Sequence, residues 1–299
     1  MRNYLFIINP QAGGGRGKKL INLIDERMKK SGHAYQIIVT KEPGHASEIA
    51  KNNIDNYSDI IAVGGDGTVN EVARALLKSK NTLLGIIPAG TGNDLSLSLG
   101  IPKNSEKALE LILSENPHTR QIDVCNINGR PYLNISTIGF DAQVVKTTNT
   151  IKKAIKSEIS YVISVLINLL FFRKTKLELI IDGQSHKINS FLLAVGNGRY
   201  YGGGIPIMPN AKVDNGFLEV CSVKDASNLK VLTLFPSIFK EEHIKHKKYV
   251  SIYRAKEVIV KTTENMILNI DGELIEDNKD REIVFKLEED KLSVITNKL

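Results

Sequence analysis

The chain has no tryptophan, two cysteines and 6% aromatic residues in its 299. So few rings, among scattered lysines, leave no interleaved stacking platform, and a nucleic-acid module is the weakest of the readings considered. Cys125 and Cys221 stand far apart with no CxxC partner. That argues against a disulfide framework or a thiolate metal site and fits a reducing, cytoplasmic setting. No apolar run reaches the roughly 18 residues that a spanning helix needs. The opening MRNYLFIINP is one short apolar run ending at Pro10, without a small-residue cleavage site, so no secretory signal is expected. Charge of one sign is also in short supply: 40 Lys and Arg against 33 Asp and Glu give +7. That balance suits nucleic acid, an anionic membrane or a phosphorylated ligand and selects none of them.

Alternation, by contrast, is plentiful. Through residue 127 the runs YLFII, YQIIV, DIIAV and LLGII alternate with the amphipathic stretches KKLINLIDERMKK, HASEIAKNNI and VNEVARALL. Continuous apolar strands separated by helices predict a parallel sheet covered on both faces. From about Pro131 the texture changes to strands with turn signals, which predicts a mostly antiparallel second half. Asp182-Gly183, Asn215-Gly216 and Asp271-Gly272 are all usable there as hairpin turns. One element interrupts it. Over Asn149 to Phe172 a narrow polar stripe recurs every fourth residue, with basic residues following, and this predicts a helix. Such a helix packs on the sheet or on a second copy of the chain, or lies on a membrane; the packed case is commoner.

Three strand-to-helix loops of the first half are rich in glycine: Asn9 to Lys18, Gly64 to Thr68, and Pro88 to Asp94. In a parallel sheet the carboxyl ends of the strands share one edge, so loops distant in sequence converge where open α/β folds bind ligands. Glycine there lets backbone N–H groups approach an anion. Thr68 followed by Glu71 has capping-box spacing, which predicts that the helix after GGDGT begins at Thr68 with its positive end toward the loop. The first loop, GGGRGKK, is not a Walker A: Gly13 and Gly17 enclose three residues and Lys19 replaces the metal-binding Ser or Thr.

These motifs carry a resemblance. GGDGT at Gly64 to Thr68, Asn9-Pro10, PAGTGND at Pro88 to Asp94 and IGFDA at Ile138 to Ala142 resemble the diacylglycerol kinase catalytic family, specifically the bacterial soluble lipid kinases. GNGRYYGGGIPIMPNAKVDNG (Gly196 to Gly216) and IDGE (Ile270 to Glu273) extend the likeness over nearly the whole chain. GGDGT alone is shared with NAD kinases. The resemblance implies an α/β nucleotide domain over residues 1–127 and a β-sandwich lipid-substrate domain with a helical insertion over 128–299, the last strand returning to the first domain.

By the same resemblance Asn9, Pro10, Gln11, Ala12, Gly13, Thr40, Gly64, Gly65, Asp66, Gly67, Thr68, Asn70, Glu71, Thr91 and Asn93 would contact ATP. Asp66, Asp94 and Asp123 would form an acidic network near the phosphates, with Asp66 and Asp94 orienting Mg²⁺ directly or through water. A structural metal would take the carbonyls of Lys212 and Phe217 and the side chain at 215. That residue is Asn215 here, where the family usually has Asp, and a neutral amide is a weaker ligand for a hard cation. Leu95-Ser-Leu-Ser-Leu also departs from the family's aromatic and Arg. Spacing alone makes Asp271-Gly272 a turn; the resemblance makes the segment catalytic, with Glu273 preferred over Asp271 as proton acceptor.

The implied activity is ATP-dependent transfer of a γ-phosphoryl group to the hydroxyl of a membrane lipid, diacylglycerol to phosphatidic acid. The rivals are a kinase of a soluble alcohol, in the manner of NAD kinase, and a nucleotide-binding regulator without turnover. Expected partners are the lipid alcohol, an anionic membrane touched peripherally from its inner face, and a second copy of the chain in a homodimer. KEEHIKHKKY, with His243 and His246 at i, i+3, reads as a solvated basic face.

Overall fold

In strand β1 (Asn3–Ile8) successive side chains enter two different apolar layers. Leu5 and Ile7 join Ile60, Ala62, Leu84 and Ile86 against a helix carrying Val69, Val72 and Leu76. Tyr4, Phe6 and Ile8 join Ile61, Val63 and Ile87 against Ile24, Met28, Leu109 and Ile112. Both faces are dry, which is why the strands read as unbroken apolar runs. The computed structural model that shows this describes residues 2–54, 56–79, 81–140, 144, 172–278 and 280–298. Apart from Phe172, the helix expected over 149–172 lies outside the described residues.

The elements of the first domain continue as α1 (Ala12–Ser31), β2 (Ala34–Val39), α2 (His45–Lys51), β3 (Asp59–Gly64), α3 (Asp66–Leu76), β4 (Leu83–Pro88), α4 (Asp94–Ser98), α5 (Ser105–Leu113) and β5 (Thr119–Ile122). β2, β1, β3 and β4 are parallel neighbours in that order. The sheet is completed from the other end of the chain. Strand β17 (Leu292–Ile295) inserts between β4 and β5, parallel to one and antiparallel to the other.

Between β5 and β17 lie β6 (Cys125–Ile127), β7 (Arg130–Tyr132), β8 (Ile135–Gly139), β9 (Thr175–Ile181), β10 (Gln184–Gly196), β11 (Leu218–Lys224), α6 (Asn228–Leu234), β12 (Val250–Ala255), β13 (Glu257–Lys261), β14 (Met266–Ile270), β15 (Glu273–Asn278) and β16 (Glu282–Leu287). These strands pair antiparallel throughout. β10 organises them. Its first half pairs with β9, and beyond an irregularity between Ser190 and Leu192 its second half pairs with β8 and β11. A bulge bends the strand that carries it, and beyond it β10 places Leu193 and Val195 in one apolar layer and Leu192 and Ala194 in another.

Asp182-Gly183 and Asp271-Gly272 are hairpin turns, joining β9 to β10 and β14 to β15, with both residues of each at positive φ. Asn215-Gly216 is not: only Gly216 is left-handed, and the pair lies in the approach to β11 and not between two paired strands. Asn128-Gly129, with φ of 48° and 85°, makes the β6–β7 hairpin instead. His243 also departs from expectation. It lies in a short 3-10 turn, His243–Lys245, and is buried with Nε2 2.9 Å from the Ile207 carbonyl, while His246 remains exposed. Among the described residues no helix is long and apolar enough to cross a membrane.

Candidate active site

The glycine loops after β1, β3 and β4 meet at one edge. Gly65 and Gly90 touch backbone to backbone: a Cβ on Gly90 would lie 2.4 Å from Gly65 Cα and 2.8 Å from Asn93 Oδ1. Asn93, left-handed at φ 57°, folds its amide onto Gly90, accepting from its N–H at 3.0 Å and donating to its carbonyl at 2.9 Å. Arg16 donates to the same carbonyl from the first loop. Asn9 accepts from Gln11 N–H and donates to Thr68 Oγ1 at 3.1 Å. Side chains from all three loops thus brace backbone that would otherwise be free to splay.

The expected capping box does not form. Helix α3 starts at Asp66 with Gly65 as its cap and no side-chain cap bond. Thr68 is packed against Gly64, where a Cβ would come within 2.6 Å of Thr68 Cβ. Glu71 has a better use: its carboxylate accepts Gly44 N–H at 2.9 Å and Ala46 N–H at 3.1 Å, satisfying donors at the start of α2. Glu71, expected at ATP, is therefore engaged away from the glycine loops. Thr40 lies beside them through the bond from its N–H to Ile8 O, and Thr91 is on the exposed tip of the third loop.

Across the edge the second domain supplies a facing wall. Asp66, Asn70, Asp94, Asn134, Tyr201 and Asp271 line one cleft. Asp66 accepts Asn93 N–H at 2.7 Å and so anchors the start of α4. Asp94 accepts the N–H groups of Gly203 and Gly204, at 3.1 and 2.7 Å, from the loop after β10. Asp271 accepts three from one segment: Leu133 at 2.7 Å, Asn134 at 3.0 Å and Ile135 at 3.1 Å. Burial pushes its carboxyl up to about 6, against those N–H groups, which pull it down. Asn70 donates to the Asp271 carbonyl at 3.3 Å, and its own Oδ1 is buried without a partner.

Glu273, two residues on, stands at the rim, 47% exposed. Arg74 of α3 grips it at 2.7 Å and Arg130 of β7 grips its other oxygen, so both domains hold it. Asp123 is not brought to the cleft with Asp66 and Asp94. It accepts Gly216 N–H at 2.6 Å and pairs with Lys291 at 2.8 Å, while its own N–H donates to Val213 O. The acidic network expected of three residues is a pair joined by Asp271.

The loop proposed for a structural metal does not fit one. Asn215 Oδ1 is taken by Phe217 N–H at 3.0 Å, and its Nδ2, a donor, is buried without a partner. Lys256 supplies positive charge from within the chain, donating to Gly216 O and lying 4.0 Å above the Phe217 ring. Arg120 neutralises Asp214, and Lys291 neutralises Asp123. Exhaustive dialysis against EDTA is therefore expected to lower Tm by less than about 2 °C, since no metal-binding energy is coupled to folding here. Differential scanning fluorimetry before and after dialysis measures this; a larger loss, reversed by Mg²⁺, would show that the loop holds an ion.

Ser98 and Asn134 were missed in the sequence. Ser98 Oγ accepts Arg199 N–H at 3.1 Å and donates to Asp94 O, and Asn134 donates to Tyr200 O at 2.8 Å. They stitch α4 and β8 to the segment that carries Gly203. The departure Leu95-Ser-Leu-Ser-Leu had pointed at this place without saying what it does.

Glycine loops on a parallel sheet, faced by carboxylates from a β domain, have the layout of a two-domain phosphotransferase. Residues 3–127 match the family described as the diacylglycerol kinase catalytic domain, and residues 134–286 the family described as the YegS C-terminal NAD kinase beta sandwich-like domain. The chain belongs to the soluble diacylglycerol kinase family of bacteria. It is 28% identical over 269 residues to "Diacylglycerol kinase" of Staphylococcus carnosus (strain TM300), covering 89% of this chain and 87% of that one. Against "Diacylglycerol kinase" of Bacillus subtilis (strain 168) identity is 28% over 276 residues, 91% and 90% of the two chains. A crystal structure of a diacylglycerol kinase from Bacillus anthracis str. Sterne superposes with a TM-score of 0.75 at 26% identity, covering 99% of this chain and 97% of that one. The protein is a lipid kinase, a phosphotransferase acting on an alcohol with a nucleotide donor.

Proposed function

We propose that the protein transfers the γ-phosphoryl group of ATP to the hydroxyl of diacylglycerol, giving phosphatidic acid. The observation that carries this is the meeting of Asp66 and Asp94 with Asp271 and the adjoining Glu273 across a cleft edged by glycine loops. Backbone N–H groups of those loops hold the phosphates, helped by the start of α3. Asp66 and Asp94 fit Mg²⁺: hard oxygens on facing loops, each already accepting an N–H, which suits binding partly through water. When bound, the ion offsets charge on the transferring group.

Asp271 fixes the turn. With three N–H groups on its two oxygens it clamps β14–β15 to the segment before β8 and so sets where Glu273 begins. Glu273 takes the proton. Arg74 and Arg130 hold its carboxylate at the rim of the cleft, from which it reaches the acceptor hydroxyl. As that oxygen bonds to the γ-phosphorus, its proton passes to Glu273 and the β–γ bridging oxygen leaves with ADP.

A pH dependence follows from Asp271. Protonation weakens both oxygens as acceptors of the three N–H groups and so loosens the turn that sets Glu273, and kcat is expected to rise with pH through about 6. Stability moves oppositely. The folded-state value lies above the ordinary 3.8, so the stability from the neutral form is fully present below 3.8 and is lost as pH rises through about 6. Acidification to about pH 5 should therefore cost activity without costing stability through this group. A kcat profile measured beside thermal melts over the same range checks both limbs.

The direct test is purified protein with labelled ATP, Mg²⁺ and dispersed diacylglycerol, read as labelled phosphatidic acid. Failure to phosphorylate any lipid alcohol while binding ATP normally would sink the proposal.

A further inference from the structure

Helix α3 meets the β14–β15 hairpin at two places one turn apart. Asn70 donates to the Asp271 carbonyl at 3.3 Å, and Arg74 donates to Glu273 Oε1 at 2.7 Å. With Asp66 at the head of the helix these residues stand at i, i+4 and i+8, so they form one stripe along a single face. Each member of the stripe holds a different part of the site. Asp66 accepts the Asn93 N–H of the third glycine loop, Asn70 meets the turn between β14 and β15, and Arg74 meets the first residue of β15. The helix that starts among the glycine loops therefore finishes on the proton acceptor.

The two arginines on Glu273 are not equivalent. Arg130 lies on β7, in the same sheet as β15, so its bond ties Glu273 to its own domain. Arg74 crosses from the first domain and is the less exposed of the two, at 22% against 35%. Its Nε is buried and has no partner among the described residues, so the guanidinium lies in the boundary between the domains and not in solvent. Its charge also favours the ionised form of Asp271, against the burial that pushes that carboxyl up.

We propose that Arg74 is a positioning residue for the transfer, fixing the Glu273 carboxylate, across the domain boundary, in register with the phosphates that the start of α3 receives. The proposal rests on the lipid-kinase reading with Glu273 as proton acceptor, and adds why a base from one domain faces a donor bound by the other. A carboxylate tied to its own sheet alone follows every small movement of the second domain. One tied to α3 as well moves with the nucleotide. Displacements of about 1 Å at a reacting group can cost about a hundredfold in rate. Arginine suits the task, because its planar fork gives direction as well as charge, whereas lysine gives charge alone.

Arg74→Gln removes the charge at similar length, and Arg74→Lys restores it. The readouts are kcat for lipid phosphorylation, ATP affinity and Tm, taken in the unmodified protein and again on a Glu273→Gln background. Arg74→Gln is expected to lower kcat by about thirtyfold with ATP affinity within about twofold, and Arg74→Lys to recover kcat to within about fivefold of the unmodified protein. On the Glu273→Gln background Arg74→Gln should cost less than about twofold, because the carboxylate that Arg74 positions is already gone. Equal losses in the two backgrounds would show that Arg74 acts by some route other than Glu273. A fall in Tm and ATP affinity with kcat unchanged would make it only a tie between the domains. Either result overturns the inference and leaves the kinase reading standing. If the unmodified protein phosphorylates no lipid alcohol, the kinase reading falls and the role of Arg74 falls with it.

Discussion

Glu273→Gln is expected to lower kcat for lipid phosphorylation by about a thousandfold, the loss of a positioned general base, while ATP affinity stays within about twofold of the unmodified protein. Glutamine keeps the size and leaves no carboxylate to take the proton. The ion pairs lost with Arg74 and Arg130 are half-exposed and are worth at most about 1 kcal/mol each, so folding should be little affected. Asp271→Asn is the contrast. An amide at 271 can accept with its oxygen only, and its NH₂ would face one of the three N–H groups from Leu133, Asn134 and Ile135. Two donors face to face cost about 1–3 kcal/mol, so this variant should melt earlier as well as lose activity, and its rise in kcat near pH 6 should vanish. Steady-state kinetics beside ATP titration and thermal melts separate the two. A Glu273→Gln enzyme that turns over normally, with Asp271→Asn dead but stable, would transfer the role of base to Asp271.

Gly90→Val is expected to weaken ATP binding by about a hundredfold or more and to lower Tm, with no change in any group that carries charge. The Cβ alone would lie 2.4 Å from Gly65 Cα and 2.8 Å from Asn93 Oδ1, and neither can yield cheaply. Gly65 caps α3, and Asn93 is tied to Gly90 by two bonds and to Asp66 through its own N–H. Relief requires the two glycine loops to separate, which moves their N–H groups out of register. Isothermal titration with ATP reads the loss directly. Tight binding by Gly90→Val would show that the second and third loops do not act together on the nucleotide.

The sheet of the first domain was legible because its physics is local: strands buried on both faces must be apolar throughout, and YLFII and DIIAV are. Convergence of the three glycine loops followed from topology alone. Glu71 was misread because a capping box is judged by spacing to its own helix, whereas the N–H groups it satisfies belong to Gly44 and Ala46 of another. Asp123 was grouped with Asp66 and Asp94 by motif; its partners Gly216 and Lys291 are about 90 and 170 residues away, beyond any spacing rule. His243 was read as solvated because its neighbours are lysines, yet one turn of 3-10 geometry was enough to bury it and leave His246 outside. Asn128-Gly129 needed nothing beyond the ordinary dipeptide rule and was overlooked.

The return of β17 to the first sheet also bears on how the protein is made. Leu292–Ile295 fills the space between β4 and β5, so the nucleotide domain cannot be finished while the ribosome is still extending the second domain. Until those four residues emerge, β4 presents an unpaired apolar edge open to other nascent chains. A catalytic site that spans both domains can therefore appear only after Leu292–Ile295 has been made.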